Sequence, residues 1–467
     1  MPKFFGFRSF RYFHSLFFAG NRLRPVSSAG NLAVLLSLWG LAALGAGVPA
    51  TDLRLAPEKP QAIYQPGERI LWHLQALGTN ATFAKAKYFF KQGGGTIINQ
   101  GEALFENRSA TIETRLLEPG TILAEVAATD TEGKIHTALA GAAVAPDKIP
   151  VSSPCPSDFD SFWQAKLAEL ATVPVHPVLT SEPSDKAAVA YWQLSMNNIR
   201  GTRIRGQLAR PQAGRKFPAL LIVQWAGVYP LKKNWATDRA AEGWLVLNIM
   251  AHDQPINEPA AFYEKLSQGA LTNYTALGND DREQSYFLRM YLSCYRAVEY
   301  LAARADWNGR TLIVSGTSQG GLQSLVTAGL NSKVTGLMAL VPAGCDDSGD
   351  LMGRKPGWPY WIANAGGHDL KKVRETALYF DGVNFAARIH CPALVGLGLI
   401  DTTSPPSGVF AAINQIKGPR EVIVLPEANH HGDNKTHTAF LKRESAWREA
   451  LLKGDPVPLL PKGKGGA

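Results

Sequence analysis

One stretch decides the fold: Thr-Leu-Ile-Val-Ser-Gly-Thr-Ser-Gln-Gly-Gly-Leu-Gln-Ser-Leu, residues 311–325. It combines an apolar strand, a Gly-x-Ser-x-Gly pentapeptide and the start of a helix. This order is typical of a nucleophile elbow, where the sharp strand-to-helix turn leaves no room for side chains around the serine. The turn would raise the Ser318 hydroxyl above the sheet edge, close to the positive N-terminus of the next helix. We predict that Ser318 is a nucleophile; an ordinary glycine turn is the alternative.

Short apolar runs continue on both sides of this stretch and alternate with segments long enough for a helix. Strands that are apolar on both faces are typical of a parallel sheet that helices cover on both sides. We therefore predict an α/β domain over residues 149–453 with a mainly parallel sheet. Its strands are expected at 219–223, 244–250, 311–314, 337–341, 393–400 and 421–425.

A serine nucleophile needs a histidine base, which follows it along the chain in this kind of fold. Catalytic side chains also leave the carboxyl ends of the strands. His390 precedes the strand at 393–400 and therefore lies at the wrong edge. His430 and His431 follow the strand that ends at residue 425 by a short loop, so both sit where a base is expected.

The acid is found by the same reasoning. Asp401 comes immediately after the strand at 393–400, which places its carboxylate at the carboxyl edge. Asp346 also follows a strand, but Pro-Ala-Gly-Cys intervenes. We predict Asp401 as the acid; the alternative is a solvated loop aspartate that caps the next helix.

The oxyanion of the reaction would be bound by two backbone N–H groups. One belongs to Gln319, directly after the nucleophile. The other lies in the loop at 224–229, where Gly227 allows a close approach of the backbone, and we assign it to Val228. Neither a metal nor an organic cofactor is predicted, because the reaction needs none and no ligand spacing is present. The sequence identifies no substrate-binding residue.

Three blocks carry a resemblance to a known family: Asp-Phe-Asp-Ser-Phe-Trp at 158–163, Gly-Thr-Ser-Gln-Gly-Gly at 316–321, and the long block Tyr-Phe-Asp-Gly-Val-Asn-Phe-Ala-Ala-Arg-Ile-His-Cys-Pro-Ala-Leu-Val-Gly-Leu-Gly-Leu-Ile-Asp at 379–401. In these blocks the chain resembles the acetyl xylan esterase and cephalosporin-C deacetylase family, carbohydrate esterase family seven. The likeness extends over roughly residues 150–453.

The resemblance implies an α/β-hydrolase fold and a serine esterase that removes acetyl groups from an acetylated oligo- or polysaccharide. By position, the family's nucleophile falls on Ser318, its acid on Asp401 and its base on His430. The family also forms a ring-shaped hexamer. A homo-oligomer is therefore a possible state of this chain, although the additional N-terminal region would interfere with that ring.

Two positions depart from the family pattern. His252-Asp253-Gln254 stands where the family has Arg-Gly-Gln, and His431 stands where a glutamate follows the base. Neither change removes a predicted catalytic residue, but both alter its surroundings. Substrate range and pH optimum are therefore not carried over from the family.

Residues 1–50 are predicted to be a secretory signal peptide. The 467-residue chain has a formal net charge of +9, and five of the nine excess positive charges lie in this segment, which contains no Asp or Glu. A basic stretch, an apolar run at 32–46 and small residues follow one another as in a cleaved leader. A retained signal anchor is the alternative. We expect a secreted or periplasmic protein without stable membrane insertion after cleavage.

The remaining net charge of +4 contains no basic cluster, so a nucleic-acid partner is not expected. Residues 51–148 instead show short alternating apolar runs, at 70–76 and 122–126, between Pro/Gly turns. This pattern predicts a small all-β domain, an immunoglobulin-like sandwich, with a spacer or packing role or, alternatively, carbohydrate binding. Prolines at 146–156 mark its boundary with the α/β domain. The Gly- and Pro-rich segment 454–467 is predicted to be a flexible tail.

Two other functions share these features. A secreted prolyl-oligopeptidase-like serine peptidase would have the same elbow and residue order, but its usual propeller domain is missing. A non-catalytic carbohydrate-binding relative is suggested by the altered residues 252–254. The aromatic cluster at 357–361 is a candidate for stacking on sugars, with buried packing as the other explanation. The four cysteines allow three disulfide pairings, and the sequence selects none of them.

Overall fold

The computed structural model describes residues 52–77 and 82–460. The predicted signal peptide and the last seven residues of the predicted tail lie outside the described residues. The described α-helices are α1 (Phe159–Ala171), α2 (Asn234–Glu242), α3 (Ala260–Gln268), α4 (Tyr286–Ala303), α5 (Gln319–Leu330), α6 (Leu370–Ala377), α7 (Gly382–Ala386), α8 (Pro406–Ile413) and α9 (Thr438–Lys453).

The N-terminal strands are β1 (Leu53–Pro57), β2 (Ile63–Tyr64), β3 (Ile70–Ala76), β4 (Lys85–Gln92), β5 (Thr96–Leu104), β6 (Ser109–Thr114), β7 (Gly120–Thr129) and β8 (Ile135–Val144). The strands of the α/β region are β9 (Val178–Glu182), β10 (Val189–Asn197), β11 (Arg203–Pro211), β12 (Phe217–Val223), β13 (Leu245–Ile249), β14 (Trp307–Thr317), β15 (Gly336–Leu340), β16 (Ala393–Gly398) and β17 (Arg420–Leu425).

The α/β region is built on one nine-stranded sheet with the order β17-β16-β15-β14-β12-β13-β11-β10-β9. The strands from β12 to β17 pair in parallel throughout. These are the six strands expected from the apolar runs, so the prediction of a mainly parallel sheet is confirmed. With the elbow at the end of β14, this architecture is that of an α/β-hydrolase.

The apolar runs form a sheet because both of its faces are buried. On one face, residues such as Leu221, Leu247 and Val314 pack into a core with α4, α5 and α8. On the other, their chain neighbours Leu220 and Val246 pack against α2 and α9. Since successive side chains of a strand point to opposite faces, nearly every position in these runs is apolar.

Three strands at one side of the sheet were not predicted. β9, β10 and β11 pair antiparallel with one another, and β11 pairs antiparallel with β13. β10 alternates buried and half-buried residues along part of its length, and β9 is largely exposed. Such strands lack the continuous apolar run that reveals a fully buried strand.

The N-terminal strands form two sheets, β1-β3-β6 and β2-β8-β7-β4-β5. Alternating residues of β3 and β7, including Trp72, Leu74 and Val126, pack into a core between them. No helix is present between Leu53 and Val144 in the part of this region that the structure describes. The assignment of residues 51–148 to a separate immunoglobulin-like domain stays a prediction.

These N-terminal strands pack directly against the α/β region. Ala62 and Ala143 belong to the same buried core as Leu399 and Val409 of the α/β region. A Cβ atom at Gly141 would lie 2.3 Å from the Leu399 carbonyl oxygen, so only a glycine fits there. The carboxyl end of β16, which carries Asp401, is therefore covered by β8.

All four cysteines lie in the described part of the chain, and each has a free thiol, so none of the three pairings is formed. Gly454 ends α9 in a left-handed conformation, and the following segment runs back along α9, where Arg443 donates to the Pro458 carbonyl oxygen at 2.5 Å. Within 52–77 and 82–460, no helix has both the length and the apolar character that crossing a membrane requires.

Candidate active site

The nucleophile elbow lies between β14 and α5. Ser318 has φ 59° and ψ −119°, a left-handed conformation that a non-glycine residue adopts only where the fold imposes it. A Cβ atom at Gly316 would lie 2.4 Å from the Gly320 carbonyl oxygen, and one at Gly320 would lie 2.5 Å from that of Val223. The flanking glycines are thus required because backbone approaches backbone on both sides of the serine.

Three predicted residues meet at this edge of the sheet. His430 Nε2 lies 2.8 Å from Ser318 Oγ, and His430 Nδ1 lies 2.8 Å from Asp401 Oδ2. Because a carboxylate only accepts hydrogen bonds, the proton of the neutral ring is on Nδ1, and Nε2 is free to accept the Ser318 hydroxyl proton. The arrangement can therefore withdraw a proton from Ser318.

Asp401 is held on its other oxygen. Oδ1 accepts hydrogen bonds from the backbone N–H groups of Thr403 and Ser404, both at 2.8 Å. Its side chain is completely buried, whereas 11% of the His430 side chain is exposed. The carboxylate can thus rotate little, and it presents Oδ2 to the histidine.

The loop that carries His430 is shaped by its neighbour Asn429. Asn429 Oδ1 accepts from the backbone N–H groups of His431 and Gly432, at 3.1 and 3.0 Å, and Nδ2 donates to Asp433 Oδ2 at 2.6 Å. These bonds close a tight turn directly after β17 and aim the His430 ring toward Ser318. Asn429 is not among the residues predicted from the sequence; its position directly before a candidate base was the available signal.

The alternative acid and base have other partners. Asp346 accepts from the backbone N–H and the hydroxyl of Ser152, both at 2.7 Å, and from Arg354 at 2.9 Å. It therefore ties the linker between the two regions to the sheet. His431 is exposed, and its ring lies edge-on to that of His430 with the centroids 5.6 Å apart.

The side chain of Gln319 fastens the predicted oxyanion loop to the elbow. Gln319 Nε2 donates to the Gln224 carbonyl oxygen at 3.2 Å, and Gln323 Nε2 donates to the same oxygen at 2.9 Å. The Gln319 backbone N–H stands at the first position of α5, where helix N–H groups have no acceptor within the helix. Val228 is half-buried in the same loop, one residue after Gly227 at φ 125°. The role of both amides in binding an oxyanion stays a prediction.

His252, which the sequence marked only as a departure from the family, contacts this loop. Its Nε2 lies 2.9 Å from the Gly227 carbonyl oxygen, and its Nδ1 lies 2.7 Å from the Tyr286 hydroxyl. Since a carbonyl only accepts, Nε2 carries the proton and Nδ1 accepts from Tyr286. Burial lowers the pKa of His252 to about 4, so the ring is neutral at physiological pH. A neutral imidazole therefore holds the peptide between Gly227 and Val228.

Two tyrosines complete this network. The Tyr274 hydroxyl donates to Gln319 Oε1 at 2.5 Å, and its ring meets the His252 ring edge-on at 4.8 Å. Burial raises the pKa of Tyr274 and of Tyr286, so both stay protonated hydrogen-bond donors at neutral pH. The tyrosines thus connect the side chains that position the predicted oxyanion loop.

The aromatic cluster at 357–361 has a packing role for its last member. Trp361 is buried against Phe287 and Phe380, and its indole N–H donates to Asp347 Oδ2 at 3.0 Å. Among the described residues, no group of three or more His, Cys, Asp or Glu side chains has an arrangement that could hold a metal ion.

Comparison with known proteins points to one family. The family model for acetyl xylan esterase (AXE1) matches residues 149–446. The acetyl esterase Axe7A of Xylanibacter ruminicola is 33% identical over 303 residues, which cover 62% of this chain and 67% of that protein.

Two solved structures are similar to the α/β region. The acetyl xylan esterase from Paenibacillus sp. R4 is 26% identical with a TM-score of 0.56, covering 64% of this chain and 98% of that one. Acetyl xylan esterase 1 from Thermoanaerobacterium sp. JW/SL YS485 is 23% identical with a TM-score of 0.55, covering 64% and 96%. The second likeness establishes a shared fold only.

Proposed function

Since the chain belongs to the acetyl xylan esterase (AXE1) family and is a carboxylic ester hydrolase, we propose that it removes acetyl groups from an acetylated carbohydrate through Ser318, His430 and Asp401. The observation that carries this proposal is the position of His430, which is 2.8 Å from both the serine hydroxyl and the aspartate. In a catalytic triad one histidine must contact the nucleophile and the acid at the same time.

The reaction begins with the attack of Ser318 Oγ on the acetyl carbonyl carbon while His430 Nε2 takes the hydroxyl proton. The backbone N–H groups of Gln319 and Val228 stabilise the negative oxygen of the tetrahedral intermediate. His430 then gives this proton to the sugar oxygen as its bond to the acetyl carbon breaks, so that the sugar leaves with a free hydroxyl group and Ser318 stays acetylated. Water, activated by the same histidine, releases acetate. Asp401 keeps the imidazole in the required tautomer throughout.

The substrate we propose is an acetylated oligo- or polysaccharide, such as acetylated xylan, acted on outside the cytoplasm. The leader-like residues 1–50 support this location, since a polymer of that size does not enter a cell. A secreted or periplasmic enzyme is expected, with a retained signal anchor as the alternative. We further propose that residues 51–148 are an immunoglobulin-like sandwich, residues 149–453 the catalytic domain, and residues 454–467 a flexible tail.

A three-substrate assay tests the proposal. Purified protein lacking residues 1–50 is given a chromogenic acetyl ester, acetylated xylan and a proline-containing peptide, side by side with Ser318→Ala. We expect acetate release from both esters, no peptide cleavage, and loss of esterase activity in Ser318→Ala. The matched control is Ser315→Ala. It removes a hydroxyl group that lies on the same strand but donates to Glu444.

The other outcomes distinguish the competing functions. Peptide cleavage without ester hydrolysis would favour a prolyl-oligopeptidase-like peptidase, and binding of xylan without any hydrolysis would favour a non-catalytic carbohydrate-binding protein. Esterase activity that survives in Ser318→Ala would contradict the mechanism. Light scattering of the same preparation measures whether the protein forms a homo-oligomer.

A further inference from the structure

An exposed aromatic group lies next to the elbow. The Trp225 and Tyr229 rings stack with centroids 5.2 Å apart, and the edge of Trp235 meets Trp225 at 5.0 Å. We call these three residues the aromatic platform. Trp225 is 43% exposed and is the only tryptophan with an exposed side chain in the part of the chain that the structure describes. An exposed indole that packs with two further rings forms an apolar patch, and such a patch with a polar rim is typical of a ligand-binding surface.

The backbone that carries Trp225 is held by several hydrogen bonds. The Trp225 carbonyl oxygen accepts the Tyr229 hydroxyl at 2.8 Å and Gln319 Nε2 at 3.5 Å. The neighbouring Gln224 is buried and is held by Gln319 and Gln323. A ligand that stacks on Trp225 would therefore meet a surface that is already ordered, which lowers the entropic cost of binding.

The aromatic platform borders a cavity of about 220 Å³. Trp225 and Trp235 line it together with the amide of Asn234 and the carboxylates of Asp238 and Glu444. Asn234 is exposed and Asp238 is partly exposed. Asn234 Nδ2 donates to Asp238 Oδ2 at 3.3 Å, and Lys186 Nζ lies 2.9 Å from Asp238 Oδ1, so a sugar hydroxyl would share these exposed groups with their present partners. Flat apolar rings surrounded by hydrogen-bonding groups match a sugar, which has an apolar ring face and a rim of hydroxyl groups.

The cavity is also close to the reacting atoms. Gly316 and Thr317, the two residues before Ser318, form part of its wall. Trp225 itself belongs to the loop that is predicted to bind the oxyanion. Since this wall continues along the chain directly into Ser318, a sugar ring next to the acetylated unit is the part of the substrate that the cavity would bind.

We propose that the aromatic platform and its cavity are a subsite for a pyranose ring of the substrate chain next to the acetylated unit. This proposal rests on the proposed function, because it takes the carbohydrate as the substrate. Trp225 supplies the stacking surface, and Asn234 and Asp238 bind hydroxyl groups at the rim of the ring. The subsite would not contact a small acetyl ester, which lacks the sugar chain.

The test compares a polymer with a small ester. We measure kcat/KM on acetylated xylooligosaccharides and on a chromogenic acetyl ester for wild type, Trp225→Ala, Trp225→Phe and Leu104→Ala. Leu104 is 71% exposed on β5 and serves as the control for loss of a large exposed side chain. We expect kcat/KM on xylooligosaccharides, divided by kcat/KM on the small ester, to fall about tenfold in Trp225→Ala, equivalent to about 1.4 kcal/mol. The fall should be much smaller in Trp225→Phe. Leu104→Ala should leave the ratio unchanged.

A binding measurement separates this proposal from the proposed function. In the Ser318→Ala background, calorimetry with xylooligosaccharides should show a Kd that rises about tenfold when Trp225 is replaced by alanine. Equal losses on polymer and small ester, with an unchanged Kd, would overturn the subsite while leaving the esterase intact. An enzyme inactive on all esters would refute the proposed function, and the calorimetric result would then decide the subsite alone.

Discussion

The proposed nucleophile and the proposed acid are held in place by different parts of the molecule. Ser318 is positioned by its immediate surroundings, because Gly316 and Gly320 allow the backbone to close around it. Asp401 is positioned from a distance, since the strand end that carries it packs against Gly141 of β8. The elbow is thus a local device, whereas the acid loop depends on the N-terminal strands.

The packing on the acid side leaves little space. A cavity of only about 10 Å³ remains among Thr121 and Leu123 of β7, Leu399, and Pro405 after the acid loop. The Lys355 N–H also donates to the Gly93 carbonyl oxygen at 2.9 Å, which ties a hairpin of the N-terminal region to the α/β region. Since close-packed interiors transmit strain, a change in the N-terminal strands should reach Asp401. These strands therefore form a wall around Asp401 rather than a detached spacer.

His430 joins the two sides, so its loss should have the largest effect. His430→Gln removes the group that receives the Ser318 proton, and we expect kcat/KM to fall by at least about 10⁴-fold on an acetyl ester. The matched control is His431→Gln, because His431 is its exposed chain neighbour. Steady-state kinetics of both variants measure the effect. A loss of activity confined to His431→Gln would mean that His431, and not His430, is the base.

Asp401→Asn tests the role of the acid by itself. An amide donates to His430 Nδ1 instead of accepting, which selects the wrong tautomer, and we expect a fall in kcat of about 10³–10⁴-fold. Asp346→Asn is the control, since Asp346 binds Ser152 and Arg354 instead. Kinetics together with melting temperatures check this. Near-normal kcat in Asp401→Asn, or a comparable loss in a still-folded Asp346→Asn, would reverse the assignment.

The dependence of the acid on the N-terminal strands is tested by Gly141→Val. The new side chain overlaps the Leu399 carbonyl group and should cost about 1–3 kcal/mol of stability, as overpacking does. Because Asp401 is displaced, we expect kcat to fall about tenfold, which corresponds to an increase of about 1.4 kcal/mol in the activation free energy. Thr137→Val, an exposed position on the same strand, should change neither quantity. A destabilised Gly141→Val with full kcat would show that the strands only pack.

On the side of Ser318, we expect His252 to make the stability of the protein depend on pH, with little change in activity at neutral pH. Burial, opposed by the Gly227 hydrogen bond and assisted by the Arg289 charge, lowers the pKa of His252 from 6.5 to about 4. The unfolded chain thus binds more protons between these values, and the free energy of unfolding should fall by about 3 kcal/mol as pH drops from 6.5 to 4.

The comparison for this effect is His252→Gln, which keeps an amide donor for Gly227 but has no group that titrates. Urea unfolding between pH 4 and pH 7 should show a smaller loss of stability in the variant than in wild type. Parallel curves for the two proteins would mean that His252 is not held neutral by the fold.

The sequence predicted the parts of the site that consecutive residues encode. The elbow is recognisable because strand, glycines and serine adjoin, and Asp401 and the His430 loop because each follows an apolar strand. It did not predict β9 to β11, whose half-exposed residues lack a continuous apolar run. It also missed His252 as a neighbour of Gly227, because their contact requires β12 and β13 to pair side by side.

Sequence by itself therefore determined the six parallel strands, the order of the candidate catalytic residues and, through the family, the class of reaction. These depend on local pattern, which a linear chain displays directly. Only the tertiary structure decided that Asp346 serves the linker, that a neutral His252 holds the Gly227 carbonyl, and that β8 covers the end of the acid strand. Such contacts join residues distant along the chain, and the packing of buried surfaces, rather than any sequence pattern, brings them together.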